Sequence, residues 1–399
     1  MTETGAIRQA DIWSLLRRAG RAMLVSSALL VAACQTIVPR GPAPTPTGPA
    51  EPGPVQPGLP TDTARHRIAL LVPVSGSNAG VGQSIANATT LALLDTGAKS
   101  VRITTYDTGK GAASAVNRAI ADGNRLILGP LTADEVKLVA GPARKAGVPV
   151  VSFSNDSSIA GNGVFVMGYS PVQSVERVVK FARAKGMSTF AAIVPAGLYG
   201  ERTGNALLQA VRESGGSVAA MQSYDRSATS LGAAIRKLDQ AATGYDAVLI
   251  ADGGRIAIQA APLLRKGKGA NARILGTELW NTEPGLAANE TLRGAWFASV
   301  SDAYYRQLAT KYRARFAATP YRLSALGYDA VLLTVRIAQD WRIGTPFPAA
   351  SLTDKGGFAG IDGAFRFGRD GVAERALEVQ QIGDGKFTVI DAAAGGFGQ

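Results

Sequence analysis

The sequence is poor in the residue types that build disulfides, zinc sites and many catalytic centres. It has one cysteine, Cys34, and one histidine, His66, in 399 residues. A single cysteine cannot form an internal disulfide, and zinc sites made of cysteine and histidine are excluded by count. His66 precedes the first predicted strand and is interpreted as a residue at the edge of a linker. Because no nucleophile–base pair or metal set can be assembled, the sequence predicts a non-enzymatic protein without a cofactor.

Acidic residues are also scarce relative to basic ones, and the formal net charge is +12. No dense basic block follows residue 33, and basic residues do not interleave with aromatic ones. A groove for nucleic acid is therefore not expected. The charge fits a mixed solvated surface with a basic bias, and the alternative is attraction to lipid head groups or cell-wall carboxylates.

The N-terminus has the pattern of an export signal. Arg17, Arg18 and Arg21 precede an apolar run over 22–32, which is too short to span a bilayer comfortably. Small residues and then Cys34 end the run, which resembles the bacterial lipobox. We therefore expect a signal peptide over 1–33 and an acylated Cys34, the alternative being an ordinary small apolar residue after a standard cleavage site. In a Gram-negative envelope, Gln35 in place of an Asp favours an outer-membrane anchor facing the periplasm.

A proline-rich stretch separates this signal from the rest of the chain. From 34 to 65 prolines recur every few residues and almost no apolar side chain is available for burial. Such a composition cannot form a core and favours extended polyproline II, so we expect a disordered, semi-rigid tether.

Residues 66–392 alternate between short apolar strands and helix-length segments, and 393–399 are expected to form a flexible tail. The predicted strands are 68–74, 101–106, 126–128, 148–152, 190–194, 217–224, 247–251 and 273–275. Short, continuously apolar strands are typical of parallel sheets buried on both faces. The pattern predicts an α/β fold of two doubly wound parallel-sheet lobes with a cleft between them.

In open parallel sheets, ligands bind beyond the carboxyl ends of the strands, near helix N-termini. The loops at those ends supply eight candidate cleft residues: Ser75, Thr132, Ser154, Asn155, Tyr199, Asp252, Glu278 and Trp280. Three of them have structural alternatives. Thr132 with Glu135 has the spacing of a capping box, Tyr199 could wedge a helix start, and Glu278 could be a surface acid. Phe153 and Trp280 could line a pocket or close a hinge.

Four short motifs resemble the type I periplasmic binding proteins of the leucine/isoleucine/valine group. They are Ile-Leu-Gly-Pro-Leu-Thr (127–132), Val-Pro-Val-Val-Ser (148–152), Leu-Tyr-Gly-Glu (198–201) and Gly-Thr-Glu (276–278). The resemblance implies three crossings between the lobes, with the first lobe at about 66–170 and 301–345 and the second at about 171–300 and 346–392. It also implies a ligand carboxylate at Thr132 and Ser154/Asn155, and a ligand ammonium at Tyr199 and Glu278.

The lipobox, the tether and the missing disulfide make the chain most similar to the penicillin-binding-protein activator lipoproteins. That resemblance implies regulation of peptidoglycan synthesis by contact with a peptidoglycan synthase, although the helical-repeat domain of the best-studied members is absent. The alternative is a transport receptor for amino acids or similar small polar ligands. The two hypotheses differ at the cleft, since a receptor needs an open polar cleft where Tyr199 and Glu278 converge, whereas an activator can fill it.

Overall fold

The computed structural model describes residues 63–397. The predicted signal peptide, Cys34 and nearly all of the tether lie outside the described residues. Among the described residues, no helix combines the length and the apolar character that a membrane span requires.

The described part of the chain consists of strands and helices in alternation. The strands are β1 His66–Val72, β2 Val101–Asp107, β3 Leu126–Leu128, β4 Val150–Ser152, β5 Val164–Val166, β6 Thr189–Pro195, β7 Ser217–Tyr224, β8 Ala247–Ile250, β9 Arg273–Gly276, β10 Trp296–Ser299, β11 Phe358–Gly360, β12 Gly363–Phe367, β13 Ala373–Arg375, β14 Glu378–Ile382 and β15 Phe387–Asp391. The α-helices are α1 Ala79–Thr96, α2 Ala112–Ala121, α3 Ala133–Lys145, α4 Pro171–Ala184, α5 Leu198–Glu213, α6 Ala228–Ala241, α7 Gly254–Leu264, α8 Ala303–Phe316 and α9 Ser324–Ala338.

The first lobe is built on a parallel five-stranded sheet in the order β2-β1-β3-β4-β5. Strand β1 is apolar from Ile68 to Val72 because helices cover both faces of the sheet. Ile68 and Leu70 pack against α1 and α9 in one core. Ala69 and Leu71 pack against α2 and α3 in another. Because successive side chains of a strand point to opposite faces of the sheet, β1 contributes residues to both cores.

The second lobe is built on a seven-stranded sheet in the order β15-β14-β10-β9-β8-β6-β7. Strands β6 to β10 are parallel, and β14 and β15 extend the edge in antiparallel fashion. Helices α6 and α7 cover one face through Leu231, Leu238 and Leu264, while α4 and α5 cover the other through Val179 and Leu207. The prediction of an α/β fold with two doubly wound lobes is confirmed.

The third crossing between the lobes lies later in the chain than the sequence analysis placed it. Residues 346–392 were assigned to the second lobe, yet Phe347, Leu352 and Phe365 pack into the first-lobe core beside α9. Strands β11 to β13 form a small antiparallel sheet there. The aromatic side chains of this segment bury against α9, so the chain enters the second lobe only at about residue 376.

Both ends of the described region are packed rather than loose. His66, expected at the edge of a linker, is 4% exposed, and its ring stacks on Trp341 with the centroids 3.8 Å apart. Near the other end, the Phe397 ring lies 4.6 Å from the guanidinium carbon of Arg366, within the segment predicted to be flexible. Aromatic packing therefore anchors the borders of the fold.

Candidate functional site

A cavity of about 760 Å³ lies between the lobes, beyond the carboxyl ends of their parallel strands. Phe153 and Asn155 follow β4 on the first-lobe wall. Glu278 and Asn281 follow β9 on the second-lobe wall. This is the position at which open parallel sheets bind ligands, and the volume is within the ordinary range of small-molecule sites, about 300–1,000 Å³.

The floor of the cavity is formed where the chain crosses between the lobes. Ser170 stands at the first crossing, Asp302 just after the second and Arg375 just before the third, and all three line the cavity. Gln173 fixes the third crossing, because its side-chain amide donates to Ala373 O at 2.8 Å and accepts from Arg375 N at 3.1 Å. A ligand in the cavity would touch both lobes and the segments that join them.

Arg322, at the start of the α9 region, is the centre of an ionic network on this floor. Its side chain is 10% exposed and pairs with Asp362 at 2.7 Å and Asp302 at 3.2 Å. Tyr169 accepts a hydrogen bond from Arg322 at 3.1 Å and donates one to Asp362 at 2.5 Å. Burial disfavours the charged guanidinium, but the charge of Asp362 holds the pKa of Arg322 above its ordinary value. Asn281 joins the second lobe to the network by donating to Asp302 at 3.0 Å.

Tyr199 and Glu278 come together at the second-lobe wall. The Tyr199 hydroxyl lies in the first turn of α5, 3.0 Å from the Thr277 hydroxyl oxygen and 3.1 Å from Glu278 Oε1. The other carboxyl oxygen, Oε2, is buried and has no hydrogen-bond partner among the described residues. Burial raises the pKa of Glu278 to about 7. Glu278 therefore has one carboxyl oxygen without a partner next to the cavity. The low dielectric inside the protein strengthens any electrostatic contact that this oxygen makes.

Thr132 is occupied within its own helix end. The Thr132 hydroxyl accepts from Glu135 N at 3.3 Å, while Thr132 N and Oγ1 both donate to Glu135 Oε2, at 3.0 and 2.9 Å. This is the capping box that the spacing indicated. Leu131, rather than Thr132, lines the cavity. The chain's own carboxylate thus fills the anion position at the N-terminus of α3.

The two predicted serines have hydrogen-bond partners within the first lobe. Ser75 donates to Asp107 at 2.7 Å, and the Ser154 hydroxyl accepts from Asp156 N at 3.1 Å. Neither is among the residues that line the cavity, whereas Asn155 is. Turn formation accounts for the Ser154 hydroxyl, and the Ser75 hydroxyl ties its loop to the end of β2.

Asp252 and Trp280 support the second lobe from behind the cavity wall. Asp252 accepts from Tyr224 at 2.6 Å and pairs with Arg226 at 2.8 Å. Trp280 is 0% exposed and donates its indole N–H to Asp252 O at 2.9 Å. A Cβ added at Gly276 would lie 2.2 Å from the Trp280 ring, so only glycine allows this packing. Neither side chain lines the cavity.

The sequence analysis did not identify the floor residues Tyr169, Asp302, Arg322, Asp362 and Arg375. Tyr169 and Asp302 each lie three residues after a parallel strand, but the sequence analysis did not predict those strands, β5 and β10. Arg322, Asp362 and Arg375 follow no parallel strand, so the rule that located the other candidates did not apply to them. The only signal was the resemblance, which placed crossings near 170 and 301, next to Tyr169 and Asp302.

Comparison with known proteins gives a family match over most of the chain. Residues 66–386 match the sequence profile of a family described as periplasmic binding protein. RP748, an uncharacterised protein of Rickettsia prowazekii (strain Madrid E), is 23% identical over 173 residues. That alignment spans 43% of this chain and 46% of the relative, which is less than half of its length.

Several solved structures share the fold. A branched chain amino acid ABC transporter periplasmic ligand-binding protein of Burkholderia xenovorans has 17% identity and a TM-score of 0.68, covering 83% of this chain and 96% of its own. An ABC transporter substrate-binding protein of Desulfitobacterium hafniense in complex with Leu has 17% identity and a TM-score of 0.63, covering 82% and 100%. A solute binding protein of Rhodopseudomonas palustris with 3,4-dihydroxybenzoic acid has 15% identity and a TM-score of 0.62, covering 83% and 99%. At these identities the likeness establishes the fold.

Proposed function

The chain belongs to the periplasmic binding protein family, and on that premise we propose that it is a receptor for a small polar solute such as an amino acid, bound in the cavity between its lobes. Membership implies a periplasmic location. The observation that carries the proposal is a pair of unpaired polar atoms on the second-lobe wall of the cavity. Glu278 Oε2 and Asn281 Oδ1 are buried without a hydrogen-bond partner among the described residues. Buried polar atoms are normally paired, so unpaired ones in a cavity wall suggest a missing ligand.

The receptor hypothesis is better supported than the activator hypothesis, which the sequence analysis put first. A cavity of about 760 Å³ lies between the lobes and Glu278 lines it, as a receptor requires, whereas Tyr199 contacts Glu278 without lining the cavity. The similar solved structures carry transporter or solute-binding descriptions. None of the relatives and solved structures described above has a description that mentions a peptidoglycan synthase. The lipid anchor at Cys34 and the outer-membrane location lie outside the described residues and stay predictions.

We assign Glu278 to bind the part of the ligand that carries a hydrogen-bond donor. A carboxyl group with a pKa raised to about 7 by burial becomes a carboxylate readily when an ammonium group approaches, because an opposite charge favours ionisation. Tyr199 orients it through the 3.1 Å hydrogen bond to Oε1 and leaves Oε2 for the ligand. An amino acid satisfies this chemistry at its α-ammonium.

A thermal-melting screen of the purified protein against the twenty L-amino acids tests the proposal. A ligand at about 100 times its Kd stabilises a fold by about 2.7 kcal/mol, which raises the Tm by a few degrees. Titration calorimetry of any compound that raises the Tm should then show an affinity reduced roughly tenfold or more in Glu278→Gln.

Glu201→Gln is the matched control, since Glu201 is an exposed acid in the first turn of α5, two residues after Tyr199. It should bind as the wild type does. A flat screen with all twenty amino acids would refute the amino-acid receptor.

A further inference from the structure

Arg375 is a buried cation on the cavity floor that forms no ion pair with the residues that the structure describes. The residue is 6% exposed, and its guanidinium carbon lies 5.2 Å from the ring centroids of both Tyr169 and Phe365. One nitrogen, Nη2, donates to Met167 O at 2.8 Å. The other two, Nε and Nη1, are buried and have no hydrogen-bond partner among the described residues. Buried charges are ordinarily paired, so this arrangement calls for an anion.

The acids nearest to Arg375 do not supply that anion. Among the described residues no carboxylate oxygen lies within 4.0 Å of its nitrogens. Asp302 and Asp362 are paired with Arg322. Burial and the charge of Asp362 raise the pKa of Asp329 well above its ordinary value, which favours its neutral form, although the charge of Arg375 acts in the opposite direction. Asp329 also accepts from Ile361 N at 2.7 Å.

The alternative anion position in the first lobe is already filled. At the N-terminus of α3, the carboxylate of Glu135 takes the hydrogen bonds of Thr132 N and Oγ1. Pro130, which precedes this turn, has no N–H to offer. A ligand carboxylate is therefore not expected at the position that the family resemblance implied.

We propose that Arg375 binds the anionic group of the ligand, so that the cavity selects small molecules with a carboxylate at the hinge end and a hydrogen-bond donor at the second-lobe end. This inference rests on the proposed receptor function and specifies its ligand class. The unpaired atoms are complementary, because the donors belong to Arg375 and the acceptors to Glu278 and Asn281. Since Arg375 ends β13 just before the third crossing, its contact with the ligand links binding to the hinge.

Calorimetric titration of the full chain with L-leucine, L-leucinamide and 4-methylpentanoate tests the assignment. The three probes share a side chain and differ only in whether they carry the carboxylate, the amine or both. We expect L-leucine to bind wild type at least tenfold more tightly than L-leucinamide. In Arg375→Met the affinity for L-leucine should fall roughly 10- to 100-fold, while that for L-leucinamide stays within about threefold. Arg375→Lys should fall between the two because a lysine offers no bidentate contact.

Arg366→Met is the matched control, since Arg366 lies on the neighbouring strand β12, is paired with Glu374 and does not line the cavity. It should bind all three probes as wild type does. Equal binding of L-leucine by wild type and Arg375→Met, or equal binding of L-leucine and L-leucinamide by wild type, overturns the assignment and leaves the receptor function intact. If wild type binds none of the probes and none of the twenty amino acids, the receptor function itself fails and the assignment fails with it.

Thermal melting without ligand separates a binding role from a structural one. A cation held without a counter-ion adds little stability, so the Tm of Arg375→Met should stay within about 2 °C of wild type. A fall of many degrees in both Arg375→Met and Arg375→Lys would show that the side chain holds the hinge together, and it would overturn the binding assignment.

Discussion

The first-lobe edge of the cleft and the floor of the cavity differ in whether their polar groups have hydrogen-bond partners. At the first-lobe edge, Thr132, Ser75 and Ser154 all bond to neighbouring parts of their own lobe. At the floor and on the second-lobe wall, Arg375 and Glu278 keep polar atoms without a partner. A satisfied group contributes to folding, whereas an unsatisfied buried group lowers stability until something binds it. We therefore expect stability and binding to depend on different residues of the same cleft.

The largest expected effect comes from replacing each of the two arginines on the floor of the cavity. Arg322 is paired with two aspartates, and removing one partner of a buried ion network typically costs about 3–5 kcal/mol, because it leaves the other charges uncompensated. Arg322→Met should lower the free energy of unfolding by about that amount in chemical denaturation, while Arg375→Met should change it by less than about 1 kcal/mol. Equal losses in the two variants would break the comparison.

The next effect is the pH dependence that Glu278 adds to stability. Burial raises its pKa from 4.5 to about 7, so the folded state holds this proton more tightly than the unfolded state does. The contribution is fully present below about pH 4.5 and is lost as the pH rises through 7. Glu278→Gln should therefore show a smaller loss of unfolding free energy between pH 5 and pH 8 than wild type, by roughly 2 kcal/mol.

Urea titrations at the two pH values measure this difference. Glu201→Gln, which removes an exposed carboxylate from the same face of the protein, should keep the wild-type dependence. An identical pH dependence in all three proteins would show that Glu278 is not protonated in the folded state near neutral pH.

A smaller effect is expected at the satisfied Thr132. Losing an N-cap hydroxyl costs about 1 kcal/mol, so Thr132→Ala should lower the unfolding free energy by that much and leave ligand affinity unchanged. Thr310→Ala, an exposed threonine in the interior of α8, controls for the loss of a hydroxyl alone. If Thr132→Ala weakens ligand binding tenfold, the first-lobe edge belongs to the site after all.

The smallest effect concerns an ion pair that joins the lobes at the side of the cleft. Arg202 on α5 pairs with Asp156 in the loop after β4, and both side chains are partly exposed. Partly exposed pairs contribute about 0–1 kcal/mol, so Arg202→Gln should weaken ligand binding by no more than about fivefold and reduce its dependence on salt. Lys137→Gln, which removes a pair within one helix of the first lobe, should change neither. Unchanged affinity and salt dependence in Arg202→Gln would show that the contact does not act on binding.

The fold could be predicted from sequence because its signals are local. The apolar run that begins β1, the capping box at Thr132 and the glycine-rich turns each report on a few neighbouring residues. The site was only partly predictable for the opposite reason. Tyr169 and Asp362 share a hydrogen bond across 193 positions, and Arg322 reaches Tyr169 across 153. No local pattern encodes such contacts, so the rule about strand ends located Asn155 and Glu278 but not the floor.

The same rule also selected residues that the structure uses elsewhere. Trp280 follows β9 as Glu278 does, but its ring turns inward and lies against Gly276. A loop position alone does not determine which way a side chain points. In the 3₁₀ turn Glu278–Thr282, Trp280 is buried in the core and the other four residues line the cavity. The error in the third crossing has a similar origin, because Phe347 and Phe365 could pack on either lobe until α9 was placed.

The late third crossing affects when each lobe can fold during synthesis or export. The edge of the second sheet is supplied by β14 and β15, from the last part of the described chain, and the first core takes in residues as late as Ala373. A nascent or partly exported chain that ends before Ala373 therefore lacks part of both lobes. Both lobes are completed only by residues after about 345, so folding waits for most of the polypeptide, and a short C-terminal deletion would damage the architecture more than its length suggests.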